Sequence, residues 1–191
     1  MKNIIKARAL ERLAKRVIKP SCEVFINHRG VDTKRSIATL LYDQLSWLDI
    51  HPFLDNKTMK PGDKLFDKID SAIMGCKVGV AVFSPRYCES YFCLHELALF
   101  VESKKKVIPI FCDVKPSQLR VGLDSEQCSE EERRRFASAI EKTKNTVGLT
   151  FDSSKGNLSD VVRRASNIVI NSLIEIEKEK QMQRPKSPIL I

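Results

Sequence analysis

The chain has no Cys-x-x-Cys pair and no two histidines one helical turn apart: its six cysteines fall at 22, 76, 88, 93, 112 and 128, and its three histidines at 28, 51 and 95. Those spacings exclude the usual zinc ligand sets. No apolar run approaches the roughly eighteen residues that a membrane-spanning helix needs, and no secretory core with a cleavage site opens the sequence. The cysteines therefore read as reduced, mostly buried small hydrophobes of an intracellular protein, with no disulfide expected. Excess charge is also missing from the body. Of the formal +9, residues 1–20 supply +6 through seven Lys or Arg against Glu11, which leaves 26 basic and 23 acidic residues, only +3, for the rest. Bulk charge thus gives little support to a body built to bind nucleic acid.

What is present suits one globular domain: 191 residues, 42% hydrophobic and 30% charged, enough for a sizeable core without a second domain. Residues 1–20 form a basic amphipathic N-terminal arm, with Leu10, Leu13, Ala14 and Val17 on one side and Arg8, Arg12, Lys15, Arg16 and Lys19 on the other. Such an arm could lie on an anionic membrane surface, contact nucleic acid, direct the chain to an organelle, or stay solvated. The absence of serine before Ser21 argues against a transit peptide. The expectation is a cytoplasmic protein, with the nucleus or an organelle as alternatives set by the arm. The alternating charges from Glu175 to Lys186, followed by Pro188, predict a disordered tail over 179–191 and a domain spanning 21–178.

Within that domain the apolar period switches repeatedly between short buried runs and helical spacing. Strands are expected at Cys22 to Ile26, Pro52 to Leu54, Lys77 to Phe83, Val107 to Cys112 and Val147 to Phe151. Helices are expected at Thr33 to Leu48 with Asp32 as N-cap, Asp67 to Met74 ending at Gly75, from Ser90 onward, Glu130 to Thr143, and Leu158 to Ile176. Runs apolar on both faces, joined through helices, imply an α/β doubly wound, five-stranded parallel sheet with helices on both faces. Ligands of such sheets bind at the carboxyl ends of the strands, near the switch point. Here that means the loops Asn27 to Asp32, Asp55 to Asp63 and Ser84 to Ser90.

One carboxylate is out of place in this pattern. Phe92, Glu96 and Phe100 fall at i, i+4 and i+8, beside the stripe Cys93, Leu97 and Val101, so Glu96 borders the buried face of its helix. A dry, unpaired carboxylate costs several kcal/mol, so Glu96 must find a partner, take up a proton or open onto a pocket. Its helix starts at the end of the third predicted ligand loop, which places it at the fold's expected binding crevice.

Several blocks in order resemble plant Toll/interleukin-1 receptor (TIR) domains, of the type that stands without further domains. They are Val24-Phe25-Ile26-Asn27-His28-Arg29-Gly30-Val31-Asp32-Thr33, Phe53-Leu54-Asp55 with Met59-Lys60-Pro61-Gly62-Asp63, and Val82-Phe83-Ser84 with Tyr87, Ser90 and Cys93-Leu94-His95-Glu96-Leu97. Val107-Ile108-Pro109-Ile110-Phe111 and Val114-Lys115-Pro116-Ser117 complete the set. The resemblance covers about residues 22–176 and implies a flavodoxin-like fold. It also implies an NAD+ nucleosidase of plant immune signalling that yields nicotinamide, ADP-ribose and cyclic ADP-ribose isomers. Glu96 takes the position of the family's catalytic glutamate. NAD+ is the substrate, NADP+ an alternative to it, and no cofactor is required.

The same resemblance, read with residue chemistry, assigns substrate binding to Arg29, Gly30, Phe92, Cys93, Ser90 and Asp55. Arg29 offers bidentate donors to a pyrophosphate or ribose, Gly30 allows close backbone approach, and Phe92 offers a stacking face or a core ring. Cys93 reads as a pocket wall with no histidine placed to activate it, and Asp55 and Gly62 shape the second loop. Partners implied are NAD+, further copies of the chain through TIR–TIR contacts, and other TIR proteins. Four positions depart from the family pattern: Phe92 stands for Trp, His28 for Phe, Thr39-Leu40 for a Ser-His pair, and Leu54 for a basic residue. Alternatives to the enzyme are a non-catalytic TIR–TIR signalling adaptor and a nucleic-acid-dependent cyclic nucleotide synthetase.

Overall fold

The computed structural model describes residues 22–183; the N-terminal arm expected over 1–20 lies outside the described residues. Five strands, β1 (Val24–His28), β2 (Pro52–Phe53), β3 (Val78–Phe83), β4 (Lys106–Cys112) and β5 (Leu149–Phe151), form one sheet in the order β2-β1-β3-β4-β5. Every neighbouring pair is parallel. The helices are α1 (Gly30–Thr33), α2 (Ile37–Trp47), α3 (Asp55–Thr58), α4 (Leu65–Gly75), α5 (Tyr91–Glu102), α6 (Glu130–Lys144) and α7 (Leu158–Gln183).

The sheet is buried because β1 and β3 are apolar on both sides, and helices cover both faces. On one face Val24, Ile26, Val80, Val82 and Ile110 pack against Leu41 and Leu45 of α2 and Val162, Ala165 and Val169 of α7. On the other, Ala81, Phe83 and Phe111 meet Leu94 and Leu97 of α5 and Phe136 and Ile140 of α6. A third cluster sets Phe25 and Phe53 against Ile69 and Ile73 of α4 and Phe100 of α5. Each fully buried aliphatic or aromatic side chain contributes about 1.5–3 kcal/mol, so these two layers dominate the fold's stability.

The helix N-termini follow local chemistry. Ser90 caps α5, its hydroxyl accepting from Cys93 N–H, and Ser129 with Glu132 forms a reciprocal capping box on α6. Helix α5 sits close to the sheet where β3 carries Gly79: a Cβ there would lie 2.9 Å from the Phe100 ring. From β1 the chain passes first to β2 on one side and later to β3 on the other, so the crevice of the switch point opens between the loops after β1 and β3.

Four local differences separate the structure from the sequence reading. Thr33 to Leu48 is not one helix, because the chain breaks at residues 34–36, and Ser36 leaves helical backbone geometry at φ −133°, ψ −118°. Asp32 is not an N-cap. Its carboxylate accepts from Ser84 Oγ at 2.7 Å, Arg86 N–H at 3.0 Å and Arg86 Nε at 3.1 Å, tying the β1 loop to the β3 loop. Val147 stands outside β5 and is 96% exposed. The last helix runs past Ile176 to Gln183, through residues assigned above to the tail, supported by Leu173 and Ile176 against the core and a Lys106–Glu175 ion pair at 2.7 Å. Among the described residues no helix is long and apolar enough to cross a membrane.

Candidate active site

At the carboxyl edge of the sheet a cavity of about 670 Å³ opens between the loop after β1, α3, α4 and the start of α5. All seven residues singled out from sequence line it: Arg29, Gly30, Asp55, Ser90, Phe92, Cys93 and Glu96. They come from three separate segments, which only the parallel topology brings together.

Glu96 is 8% exposed, on the inner side of α5. Its Oε2 accepts a hydrogen bond from Asn27 Nδ2 at 2.7 Å, and the same amide donates to Cys93 O at 3.1 Å. Among the described residues Oε1 has no protein partner. Asn27 is held in turn by the fully buried Tyr87, whose hydroxyl donates to Asn27 Oδ1 and also reaches Cys93 O at 3.2 Å. Burial pushes the Glu96 carboxyl up to about 8, the Asn27 hydrogen bond pulls against it, and the charges of Asp55 and Asp70 add to the upward push. At neutral pH the carboxyl is therefore mostly protonated, one of the outcomes that its place beside the apolar stripe leaves open.

Cys93 is a wall residue. Burial and the neighbouring Glu96 push its thiol up to about 12, and its Sγ lies 3.3 Å from His28 O. A thiol so far from ionising is a poor nucleophile. His95, next along the helix from Leu94, faces away toward α4, with Nε2 3.0 Å from Asp70 Oδ1. Phe92 belongs to the rim: it is 41% exposed and stacks on Phe66 of α4, ring centroids 5.3 Å apart. Ser90 is committed to capping α5 as well as lining the cavity. A Cβ at Gly30 would meet nothing within 4 Å, so the space before that backbone is open to a ligand. Gly62, at φ +95°, makes an exposed left-handed turn outside the cavity, as the Pro61-Gly62 pair suggests.

Two polar atoms at this site, Arg29 Nε and His28 Nε2, are buried without a hydrogen-bond partner among the described residues. Burial also lowers the pKa of His28, so its ring is neutral and can accept or donate to a bound molecule. Lys34 and Arg35 add a basic side to the cavity. Sequence reasoning did not single out Asn27, His28, Lys34 or Arg35 as site residues; Asn27 and His28 entered only as members of the first ligand loop. Among the described residues no group of three His, Cys, Asp or Glu is placed to hold a metal ion.

Comparison with known proteins places this geometry. The family model for the TIR domain matches residues 22–183. The chain is 48% identical over 171 residues to the probable 2′ cyclic ADP-D-ribose synthase BdTIR of Brachypodium distachyon, covering 88% of this chain and 75% of that protein. It is 33% identical to the TMV resistance protein N of Nicotiana glutinosa over 82% of this chain, but only 15% of that much longer protein. Among solved structures, the TIR domains of the activated Roq1 resistosome superpose with a TM-score of 0.67 at 27% identity, covering 78% of this chain and 99% of that one. The TIR domain of a Toll-related receptor from Hydra magnipapillata matches in fold, with a TM-score of 0.51 at 17% identity.

Proposed function

The chain belongs to the TIR-domain family, and from that premise we propose that it cleaves the nicotinamide–ribose bond of NAD+ to give nicotinamide with ADP-ribose and a cyclic ADP-ribose isomer. The observation that carries this reading is the placement of Glu96: a buried carboxyl, held by one hydrogen bond, at a cavity where Arg29 Nε and His28 Nε2 are buried without a partner among the described residues. The relative named as a 2′ cyclic ADP-D-ribose synthase supports the substrate class and the cyclic product.

The chemistry follows from charge. The pyridinium of NAD+ becomes neutral as nicotinamide leaves, and the positive charge moves to the ribose. A carboxylate beside that sugar stabilises the oxocarbenium-like transition state. Glu96 enters as an acid, and the cationic ring arriving in a low-dielectric pocket favours its ionised form, so the proton is released as substrate binds. The bond between ribose and ring nitrogen then breaks, with its electron pair leaving on nicotinamide. For a cyclic product, a ribose hydroxyl of the same molecule attacks the anomeric carbon and its proton passes to the Glu96 carboxylate. Water in its place gives ADP-ribose. Arg29, Lys34 and Arg35 face the pyrophosphate, and the open backbone at Gly30 leaves room for it. Phe92 stacks on a ring of the substrate at the rim.

Self-association supports the activity. The half-exposed Phe92 and Phe66, with Leu65 at 43% exposure, border an open cavity that a neighbouring copy can close. The test is mass spectrometry of NAD+ incubated with concentrated protein. Wild type releases nicotinamide and a cyclic product, and Glu96→Ala releases neither; turnover by that variant removes Glu96 from its role, and silence of both proteins favours an adaptor.

A further inference from the structure

Glu96 has two oxygens in different surroundings, and one residue makes the difference. Its Oε2 is engaged by Asn27 Nδ2 at 2.7 Å, while Oε1 has no protein partner among the described residues. Asn27 is itself immobilised: it is wholly buried, its Nδ2 also donates to Cys93 O at 3.1 Å, and its Oδ1 accepts from Tyr87. Turning the amide over would set its Oδ1 against Cys93 O, two acceptors with no donor between them, and forfeit the Tyr87 hydrogen bond to Oδ1. Its donor face is thus locked onto the acid.

We infer that Asn27, oriented by Tyr87, is the positioning residue of this site: it reserves Glu96 Oε2 as a pure acceptor, so that the proton of the resting acid sits on Oε1 and Oε1 is the oxygen that meets the ribose. This rests on the reading of Glu96 as the catalytic carboxyl and specifies which of its atoms acts. A proton on the lone pair of Oε2 that accepts from Asn27 would point at its donor, so the resting proton is seated on Oε1, which has no such donor against it. When the proton leaves, the Asn27 hydrogen bond strengthens on the ionised carboxylate. Asn27 therefore sets both the direction of the acid and the pH at which it ionises. The charges that act on this carboxyl are Asp55 from α3 and Asp70 from α4, which oppose ionisation, while Arg29, Lys34 and Arg35 line the same cavity; its Oε2 accepts from Asn27.

The experiment pairs two measurements on wild type, Asn27→Ala and Tyr87→Phe. One is a carbon-13 NMR titration of the glutamate carboxyls in the free protein, with Glu96→Gln to assign the signal. The other is the pH dependence of kcat/KM for NAD+. In Asn27→Ala the Glu96 midpoint moves up by about one pH unit and the rising limb of the rate profile moves with it, a loss of about tenfold near pH 7 that recovers at alkaline pH. Tyr87→Phe, nearly isosteric and able to fold if the alanine variant does not, shifts both in the same direction by less. An unmoved NMR midpoint overturns the inference, as does a rate lowered equally at every pH. If wild type consumes no NAD+, the functional reading fails while the NMR titration still decides the relation of Asn27 to Glu96.

Discussion

The ring of Phe66 lies against that of Phe92 at a centroid distance of 5.3 Å and an interplanar angle of 27°, joining α4 to α5 at the rim of the Glu96 cavity. Since Phe92 is 41% exposed, its ring is available to a ligand on the side that Phe66 does not cover. Replacing Phe92 with Ala is expected to raise KM for NAD+ about tenfold, with a much smaller change in kcat and a stability cost under about 1.5 kcal/mol. Steady-state kinetics beside urea melts check this. Phe92→Trp should keep KM near wild type, because it enlarges the stacking face.

The high carboxyl pKa of Glu96 carries a stability consequence of definite sign. A group whose folded pKa lies near 8, above its unfolded value, contributes stability that is present in acid and lost as pH rises through the folded pKa. Glu96→Gln removes the cost of a buried charge. Thermal melts from about pH 5 to about pH 9 should show the two proteins close in acid and the glutamine variant increasingly more stable toward alkaline pH. A gap that narrows with rising pH would remove the buried acid from the account.

Asp32 behaves in the opposite sense. Burial raises its carboxyl, but hydrogen bonds from Ser84 and from the Arg86 backbone and side chain outweigh that and hold it below the usual aspartate value. Its contribution is therefore present at neutral pH and lost as pH falls through that lowered value. Asp32→Asn is expected to cost about 2 kcal/mol near pH 7. Urea titrations repeated in acid should show the deficit disappearing.

The Cys93 thiol predicts resistance to alkylation. With its pKa near 12 and 4% exposure, it offers almost no thiolate at neutral pH. Iodoacetamide treatment near pH 7.5 should leave NAD+ consumption within about twofold of the untreated protein, and intact-mass analysis followed by peptide mapping should find Cys93 unmodified. Rapid inactivation with a carbamidomethyl group at that residue would contradict the burial.

β3 and β4 were legible because each holds a short apolar run buried on both faces, and they stand within a residue or two of their expected ends. Glu96 was legible for the reverse reason, a charge beside an apolar stripe. Asn27 was not, since its partner lies 69 positions away and nothing local marks a strand-end amide as an acid's ligand. The break after α1 was hidden in the same way: Asp32 looks like a cap until Ser84 and Arg86, more than 50 residues on, take its carboxylate. Long-range polar pairing leaves no period in a sequence, whereas burial does.

Gly79 and the ring of Phe100 act together as a depth stop for the buried carboxyl of Glu96. The absent side chain at 79 lets helix α5 settle onto the sheet, and Glu96 rides one turn above Phe100 on that same rigid rod. A single methyl group at position 79, in the strand's first half and remote from the crevice, would lever the rod outward and draw the Glu96 carboxyl back from the cavity. The spacing between layers, fixed by one missing carbon, therefore calibrates how far that carboxyl reaches.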